Sequence, residues 1–377
     1  MKNVTLILIA AVFVAAAWFV ASERRPEKEI SRPTLLPELI DRVNDVARVE
    51  LKSASGMTTL QRRGADWSVA TSDGYPADFE RVKQLVLTLA EMRIIEPKTR
   101  VAERYGRIGV QSLDAEDSRA VRVELADADG TPLTSLLVGD AREGGGAPAR
   151  YVRRPEAEQS YLVTARFDYR AEDRDWMDRS ILDIQPERIQ KVTIEPGEGP
   201  AYTLARDAEG QLALNDVPAG MRERSRATTS SIGSFLAGLR FDSVRAVERV
   251  DLPATPVLTA EYLTDAGGVV SIAAFEVDET MLFRFTAGFD AAQALEADAS
   301  ADSADGDGNP EDALPMMLGD DGDSGTALGS DEDAAALNAS LAPWAFDLPE
   351  FKRALVTRTR ADLIQPEPER AEVDEAP

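Results

Sequence analysis

Two stretches of the chain carry the same pattern of apolar and polar positions. In residues 82–93 the apolar Leu85, Leu89 and Met92 stand four and then three apart, and Arg93 follows. In residues 229–240 Ile232, Leu236 and Leu239 repeat those spacings, and Arg240 follows. Such spacing puts the apolar side chains on one face of a helix. The residues upstream also match. Val46, Val49 and Leu51 correspond to Ile189, Val192 and Ile194, and Leu60 with Arg62 corresponds to Leu204 with Arg206. The Trp67-Ser68-Val69 strand parallels Leu212-Ala213-Leu214. Repetition of this kind predicts two copies of one module.

The alternation predicts the elements of each copy. Residues 34–45 read as a short helical lead-in, with Leu35, Leu36, Leu39, Ile40 and Val43 at helical spacing. Residues 46–52, 58–62 and 67–70 read as strands, with turns at Ser55-Gly56 and Arg63-Gly64-Ala65. Trp67 reads as a core plug. A helix over 78–93 follows, and Pro97 stops it. Residues 101–106 form a helical turn closing on Gly106. Residues 121–126 and 133–138 form a hairpin around Ala128-Asp129-Gly130, and Gly139 ends the second strand. Gly144-Gly145-Gly146 is a flexible tip before a last hairpin at 151–153 and 161–163. In the second copy the helix spans 228–240, and strands follow at 257–263, 269–275 and 281–285.

One segment is apolar throughout. Residues 4–21 contain a single Thr among apolar side chains. Eighteen residues at a helical rise of about 1.5 Å cover roughly 27 Å, close to the bilayer hydrocarbon thickness. Trp18 lies near its end, where an interfacial aromatic belongs. We expect an uncleaved anchor. A cleaved signal peptide is the rival, because Ala15-Ala16-Ala17 resembles a small-residue cleavage site. Counting Lys2 against Arg24, Arg25, Lys28 and Arg32 puts the large domain in the cytoplasm. The very short tail and signal-like shape point outward instead, and outside is the expected side.

Composition narrows the chemistry. The 377 residues suffice for two or three domains. Against 67 acidic residues stand 42 basic ones, a net charge of −25. Such a surface repels nucleic acid, and nucleic-acid binding is not expected. With no cysteine there is no disulfide and no thiolate site. With no histidine the commonest general base and transition-metal ligand are missing. Residues 290–333 hold fourteen acidic side chains and no Lys or Arg, and read as a disordered acidic insertion. A calcium loop at Asp305-Gly306-Asp307-Gly308-Asn309 fails, because Pro310 takes the glycine position and Met316 the glutamate position. In the closing stretch Asp347 can cap a helix with Pro349 in its first turn.

Motifs for catalysis are sparse. There is no phosphate-loop Gly-Lys-Ser/Thr and no Gly-x-Ser-x-Gly elbow. Gly197-x-Gly199 lacks a third glycine and a following helix. Arg222, Arg224 and Arg226 offer an anion site, with a solvated loop as the blander reading. Carboxylate pairs abound, so choosing a glycosidase dyad needs geometry. No catalytic, cofactor-binding or metal residue is nominated, and no cofactor or small-molecule ligand is identified.

A succession of short signals remains. It comprises Leu-x-Arg at 60–62, Trp67, Glu-Arg-Tyr-Gly at 103–106 and Leu-Leu-Val-Gly at 136–139. Arg-Tyr-Val-Arg follows at 150–153, Ser-Tyr-Leu-Val at 160–163, and Asp-Trp-Met-Asp-Arg-Ser-Ile-Leu at 175–182. In this order they resemble the bacterial family of domain of unknown function 4340 over most of residues 35–250. Arg107-Ile108 departs from the pattern, where Leu directly after the Gly is expected. The resemblance implies a single-span protein with an extracytoplasmic domain, associated with ABC-type transport systems like those of gliding motility. It brings no established catalytic residues.

The expected fold is therefore α+β: a tandem duplication of a mostly antiparallel sheet module with one main helix each, preceded by a single N-terminal transmembrane helix. Its expected parts are an anchor at 1–22, a juxtamembrane spacer at 23–33 and modules at 34–170 and 171–289. An acidic disordered insertion at 290–335, a C-terminal helix at 336–365 closing the second module and a disordered tail at 366–377 complete it. The expected role is a non-enzymatic accessory or scaffold protein in the bacterial inner membrane, its main domain facing the periplasm. Its partners would be the membrane and ABC transporter subunits. An envelope ligand-binding module is the alternative, and a carboxylate-based hydrolase of envelope polysaccharide a further one.

Overall fold

The computed structural model describes residues 32–144, 146–292, 326 and 328–367. The apolar run at 4–21, the spacer before residue 32, the glycine tip at Gly145, the calcium-loop candidate and residues 368–377 lie outside the described residues. Among the described residues no helix is long and apolar enough to cross a membrane.

The described residues open with one helical turn, Pro37–Ile40, then strands β1 (Arg48–Lys52), β2 (Met57–Arg63), β3 (Asp66–Val69) and β4 (Tyr75–Pro76). Helix α1 (Phe79–Ala90) leads to β5 (Arg93–Pro97), β6 (Val121–Ala126), β7 (Pro132–Ala141), β8 (Ala149–Arg153) and β9 (Ser160–Thr164). Next come β10 (Ser180–Leu182), β11 (Ile189–Pro196), β12 (Tyr202–Arg206), β13 (Leu212–Leu214) and β14 (Met221–Glu223). Helix α2 (Arg226–Ser231) precedes β15 (Leu239–Arg240), β16 (Ser243–Ala246), β17 (Leu258–Thr264), β18 (Gly268–Val277) and β19 (Thr280–Phe289). The described residues close with α3 (Asp331–Leu341), β20 (Trp344–Asp347), α4 (Glu350–Val356) and β21 (Ile364–Pro366). The fold is α+β, with mostly antiparallel sheets and a few helices.

Two compact units emerge: residues 1–57 with 80–171, and residues 58–79 with 172–377. In the first, the strands run β1-β6-β7-β8-β9-β5. β1 alternates strictly: Val49 and Leu51 are fully buried, while Arg48 and Lys52 are exposed. That is the period of a sheet with one face in the core and one free. Helix α1 buries Val82, Leu85, Val86, Leu89 and Ala90. The edge strand β5 is covered. Ile94 donates its N–H to Pro33, and Leu35 donates to Met92 beside a bridge between Thr34 and Arg93.

In the second unit the order is β13-β12-β11-β17-β18-β19-β20-β16. Strands β2, β3 and β4 also belong to it, and specific contacts explain why. Tyr75 meets the rings of Phe241 and Trp344 edge-on at 5.2 and 4.9 Å. Thr71 and Ser72 donate hydroxyls to the Asp173 carboxylate at 2.6 Å each. Asp73 accepts from the Ala246 N–H at 3.1 Å and pairs with Arg249 at 3.2 Å. The Ala246 bond caps a free donor of the edge strand β16, an answer to the open-edge problem.

Several expected elements differ. The second helix, expected over 228–240, is α-helical only to Ser231 and then tightens to a 3-10 turn, Ile232–Phe235. Ser231 and Ser234 bond back to the Thr228 and Ser231 carbonyls, which competes with α-helical pairing. Gly139 does not end its strand. β7 runs on to Ala141 with a register shift after Val138. A Cβ at Gly139 would sit 2.3 Å from the Ile108 carbonyl oxygen, so the glycine marks a close backbone approach. The helical lead-in shrinks to Pro37–Ile40 and a 3-10 turn, Val43–Asp45. Regular structure resumes within the expected insertion: Leu328 is buried, and α3 starts at Asp331 behind its Ser330 cap. Asp347 lies in β20 rather than capping a helix, and Pro349 precedes α4 without a side-chain cap. The closing segment supplies a strand to the sheet as well as helices.

Candidate functional site

The buried charged groups come first, since buried charge is costly unless it is matched. Arg153 is 8% exposed. Its Nε donates to the Val110 carbonyl at 3.0 Å, and Nη1 donates to those of Pro155 and Ala157 at 2.9 and 3.0 Å. Its guanidinium lies 4.5 Å from the centre of the Tyr105 ring. Tyr105 in turn donates its hydroxyl to the Glu158 carbonyl at 2.5 Å. Beside them, the Ser160 hydroxyl donates to the Thr99 carbonyl and accepts from the Thr99 N–H. Thus three of the short sequence signals meet in one clamp that fixes two loops.

Lys352 is the second buried cation, 7% exposed. Its Nζ donates to the carbonyls of Ser234, Phe235 and Ala237 at 2.8, 3.0 and 2.6 Å. These carbonyls lie where the helical segment after α2 ends, and a cation there suits the helix dipole. Burial holds this ammonium below the ordinary lysine value, and Asp183 acts in the opposite sense. Asp183 itself accepts from the Gly238 N–H at 2.7 Å.

The recessed surfaces lie elsewhere, on the free faces of the sheets. In the first unit a groove of about 750 Å³ is lined by Arg48, Glu50, Arg122, Glu124, Ser135 and Arg154, among others. Arg48 pairs with Glu50 at 3.1 Å, Arg122 with Glu124 at 3.1 Å, and Arg154 with Glu38 at 2.5 Å. Ser135 donates to Glu124 at 3.2 Å. In the second unit a groove of about 520 Å³ is lined by Thr193, Glu195, Thr259, Glu261, Ser271 and Arg284, among others. Thr259 donates to Glu195 at 3.3 Å, and Arg284 donates to the Ala342 carbonyl at 3.2 Å.

Strand register relates the two grooves. In the first unit Glu50 faces Glu124, Glu124 faces Ser135, and Leu137 faces Arg153. In the second, Thr193 faces Glu261, Glu261 faces Ser271, and Ala273 faces Arg284. With Val49 matched to Val192, Glu124 falls on Glu261, Ser135 on Ser271 and Arg153 on Arg284. Residues in register, or two apart on one strand, share a face. The same Glu-Ser pair and the same Arg therefore occupy the same lattice positions on both sheets. Matching apolar positions alone missed these residues. They are the polar half of the same alternation, between Val123 and Leu125 and between Ala260 and Tyr262.

The other candidates separate. Arg226 pairs with Asp207 at 2.6 Å and with Glu223 at 3.3 Å. Arg224 donates to the Ile364 carbonyl, and Arg222 lies opposite Gln365. Gly197 directly follows β11, and a Cβ there would lie 2.4 Å from the Val257 carbonyl oxygen. Among the described residues no group of His, Cys, Asp and Glu is arranged to hold a metal ion.

A family model described as domain of unknown function (DUF4340) matches residues 67–259. The chain belongs to this family. The match starts at Trp67 in β3 and ends inside β17. It therefore contains helices α1 and α2, the Tyr105–Arg153 clamp and the Glu124–Ser135 pair. No curated protein and no solved structure matches the chain.

Proposed function

We propose that this family member is an accessory or scaffold subunit anchored in the bacterial inner membrane, its main domain in the periplasm. Its partners would be subunits of an ABC-type transport system, whose ATPase would supply the energy. The observation that carries this reading is how the polar groups are used. The buried cations Arg153 and Lys352 hold main-chain carbonyls, and the recessed surfaces are broad strand faces with interacting charges. This arrangement suits docking and assembly better than bond-making chemistry. The apolar run at 4–21 supports the anchor, and the net charge of −25 argues against a nucleic-acid partner.

We further infer that the two sheets are copies of one module. The orders β1-β6-β7-β8-β9-β5 and β11-β17-β18-β19-β20-β16 correspond strand by strand, with a strand from the segment that follows the helix at the far edge each time, β5 directly and β16 after the short β15. The test of the scaffold reading is extraction in mild detergent followed by co-purification. Recovery of transporter subunits with the full chain is expected. Recovery of no membrane partner across several detergents would count against the scaffold.

A further inference from the structure

We infer that the two polar sheet faces are a pair of equivalent binding sites for a neutral polyhydroxylated chain, that is, an oligosaccharide. Three arginines and three glutamates line the first groove: Arg48, Arg122 and Arg154 with Glu50, Glu124 and Glu156. Arg48 and Arg122 are held to Glu50 and Glu124. An anionic ligand would have to draw an arginine away from its glutamate and leave that carboxylate unmatched. A hydroxyl group has no such conflict. It donates to a carboxylate oxygen and accepts from a guanidinium, so it bridges a pair without separating it.

Among the described residues the second groove has no ion pair, but it offers a hydroxyl-bearing ligand donors and acceptors of its own, and its two glutamates disfavour an anion. Thr193, Thr259, Ser271 and Thr286 supply hydroxyls, Glu195 and Glu261 supply acceptors, and Phe275 supplies an apolar wall. Two rows run across the strands: Thr193, Glu261, Ser271 and Thr286, then Glu195, Thr259, Ala273 and Arg284. Strands lie about 4.8 Å apart, and residues two apart on a strand about 6.7 Å. That lattice is on the scale of the hydroxyls around a sugar ring and its neighbour. Both volumes fall within the roughly 300–1,000 Å³ of small-ligand sites. Position supplies an independent argument. The Glu124–Ser135 and Glu261–Ser271 pairs recur at one lattice point, although the neighbours have diverged from Arg122 to Thr259 and from Leu137 to Ala273.

The full chain, held in a polyoxyethylene detergent that carries no sugar, is titrated calorimetrically with chitopentaose, maltopentaose and cellopentaose. Pentagalacturonate serves as the charged control. At least one neutral pentamer is expected to bind two equivalents with a Kd of about 0.1–1 mM. Glu124→Gln should weaken one site and Glu261→Gln the other by about tenfold, the effect of one hydrogen bond to a charged acceptor. The double variant should bind both equivalents about tenfold more weakly, with its urea midpoint unchanged. If either Gln variant fails to fold, Ser135→Ala and Ser271→Ala should lower the two affinities instead. No saturation by any neutral pentamer would overturn the inference. So would binding unaltered in a folded double variant, or tighter and salt-sensitive binding of pentagalacturonate. The co-purification test is independent of these outcomes, because sugar binding does not require a transporter partner.

Discussion

Arg153 shows how a single side chain can hold the first unit. Its guanidinium serves carbonyls on both sides of it in sequence, from Val110 to Ala157, and stacks on Tyr105. Replacing it with Met leaves those carbonyls without a donor, so Arg153→Met should cost about 3 kcal/mol in urea unfolding. Arg153→Lys should recover only part, because an ammonium lacks the planar fork. A loss under 1 kcal/mol for the Met variant would contradict the clamp. Phenols give a second test at this scale. Burial raises the Tyr75 phenol to about 12, with Asp178 adding to the shift, and it also pushes Tyr202 and Tyr262 upward. In the unfolded chain a phenol ionises near pH 10. Between these values the unfolded state binds fewer protons, so stability falls as pH rises. The urea midpoint should be maintained up to about pH 10 and then decline toward pH 12. Tyr75→Phe should show a shallower decline over that range, and an unchanged slope would remove Tyr75 from the account.

At the element scale, caps and close approaches decide where helices and strands stop. Ser225 accepts from the Thr228 N–H and opens α2. A six-residue helix gains little from propensity alone, so its cap matters. Ser225→Ala should cost about 1 kcal/mol, measured by chemical denaturation. Gly139 in β7 is the sharper case. An added methyl there would collide with main-chain oxygens of Ile108 and Gly109, which cannot rotate away. Gly139→Ala should therefore destabilise by about 2–3 kcal/mol, although alanine suits a strand interior better than glycine. A neutral result would show that the 108–109 loop yields freely.

The acidic segment can be tested only on the whole molecule. Thr326 donates its N–H to Asp183 at 2.7 Å and accepts from the Asp183 N–H through its hydroxyl, and Leu328 is buried. Replacing residues 293–325 with a short Gly/Ser linker long enough to join Ala292 to Thr326 should change stability by at most about 1–2 kcal/mol, since loop entropy grows slowly with length. Extending the deletion through Asp333 also removes Leu328 and the Ser330 cap of α3. It should cost at least about 3 kcal/mol more, from lost burial and capping together. Equal midpoints for the two deletions would place the packed boundary later than Leu328. Partner recovery by each variant would separately show whether the acidic segment takes part in docking.

The sequence by itself determined the elements whose apolar period is strong. Helix α1, the β6–β7 hairpin and the long strands β17, β18 and β19 follow directly from it, because burial of one face imposes the period on the residues. The apolar positions that the two stretches share, Leu85 and Ile232 or Val49 and Val192, are buried for the same reason. Tertiary structure decided what local pattern leaves open. The sequence showed Gly139 only as a stop, since nothing local reveals the Ile108 carbonyl against it. Likewise, the place of residues 58–79 in the second unit depends on Tyr75, Asp73 and Asp173 meeting side chains up to about 270 residues away, as with Trp344. The candidate site was the least legible part. Glu124, Ser135, Glu261 and Ser271 are ordinary exposed-face residues in one dimension. Only the register of four antiparallel strands aligns them into the same row on two sheets, because register is set by long-range pairing.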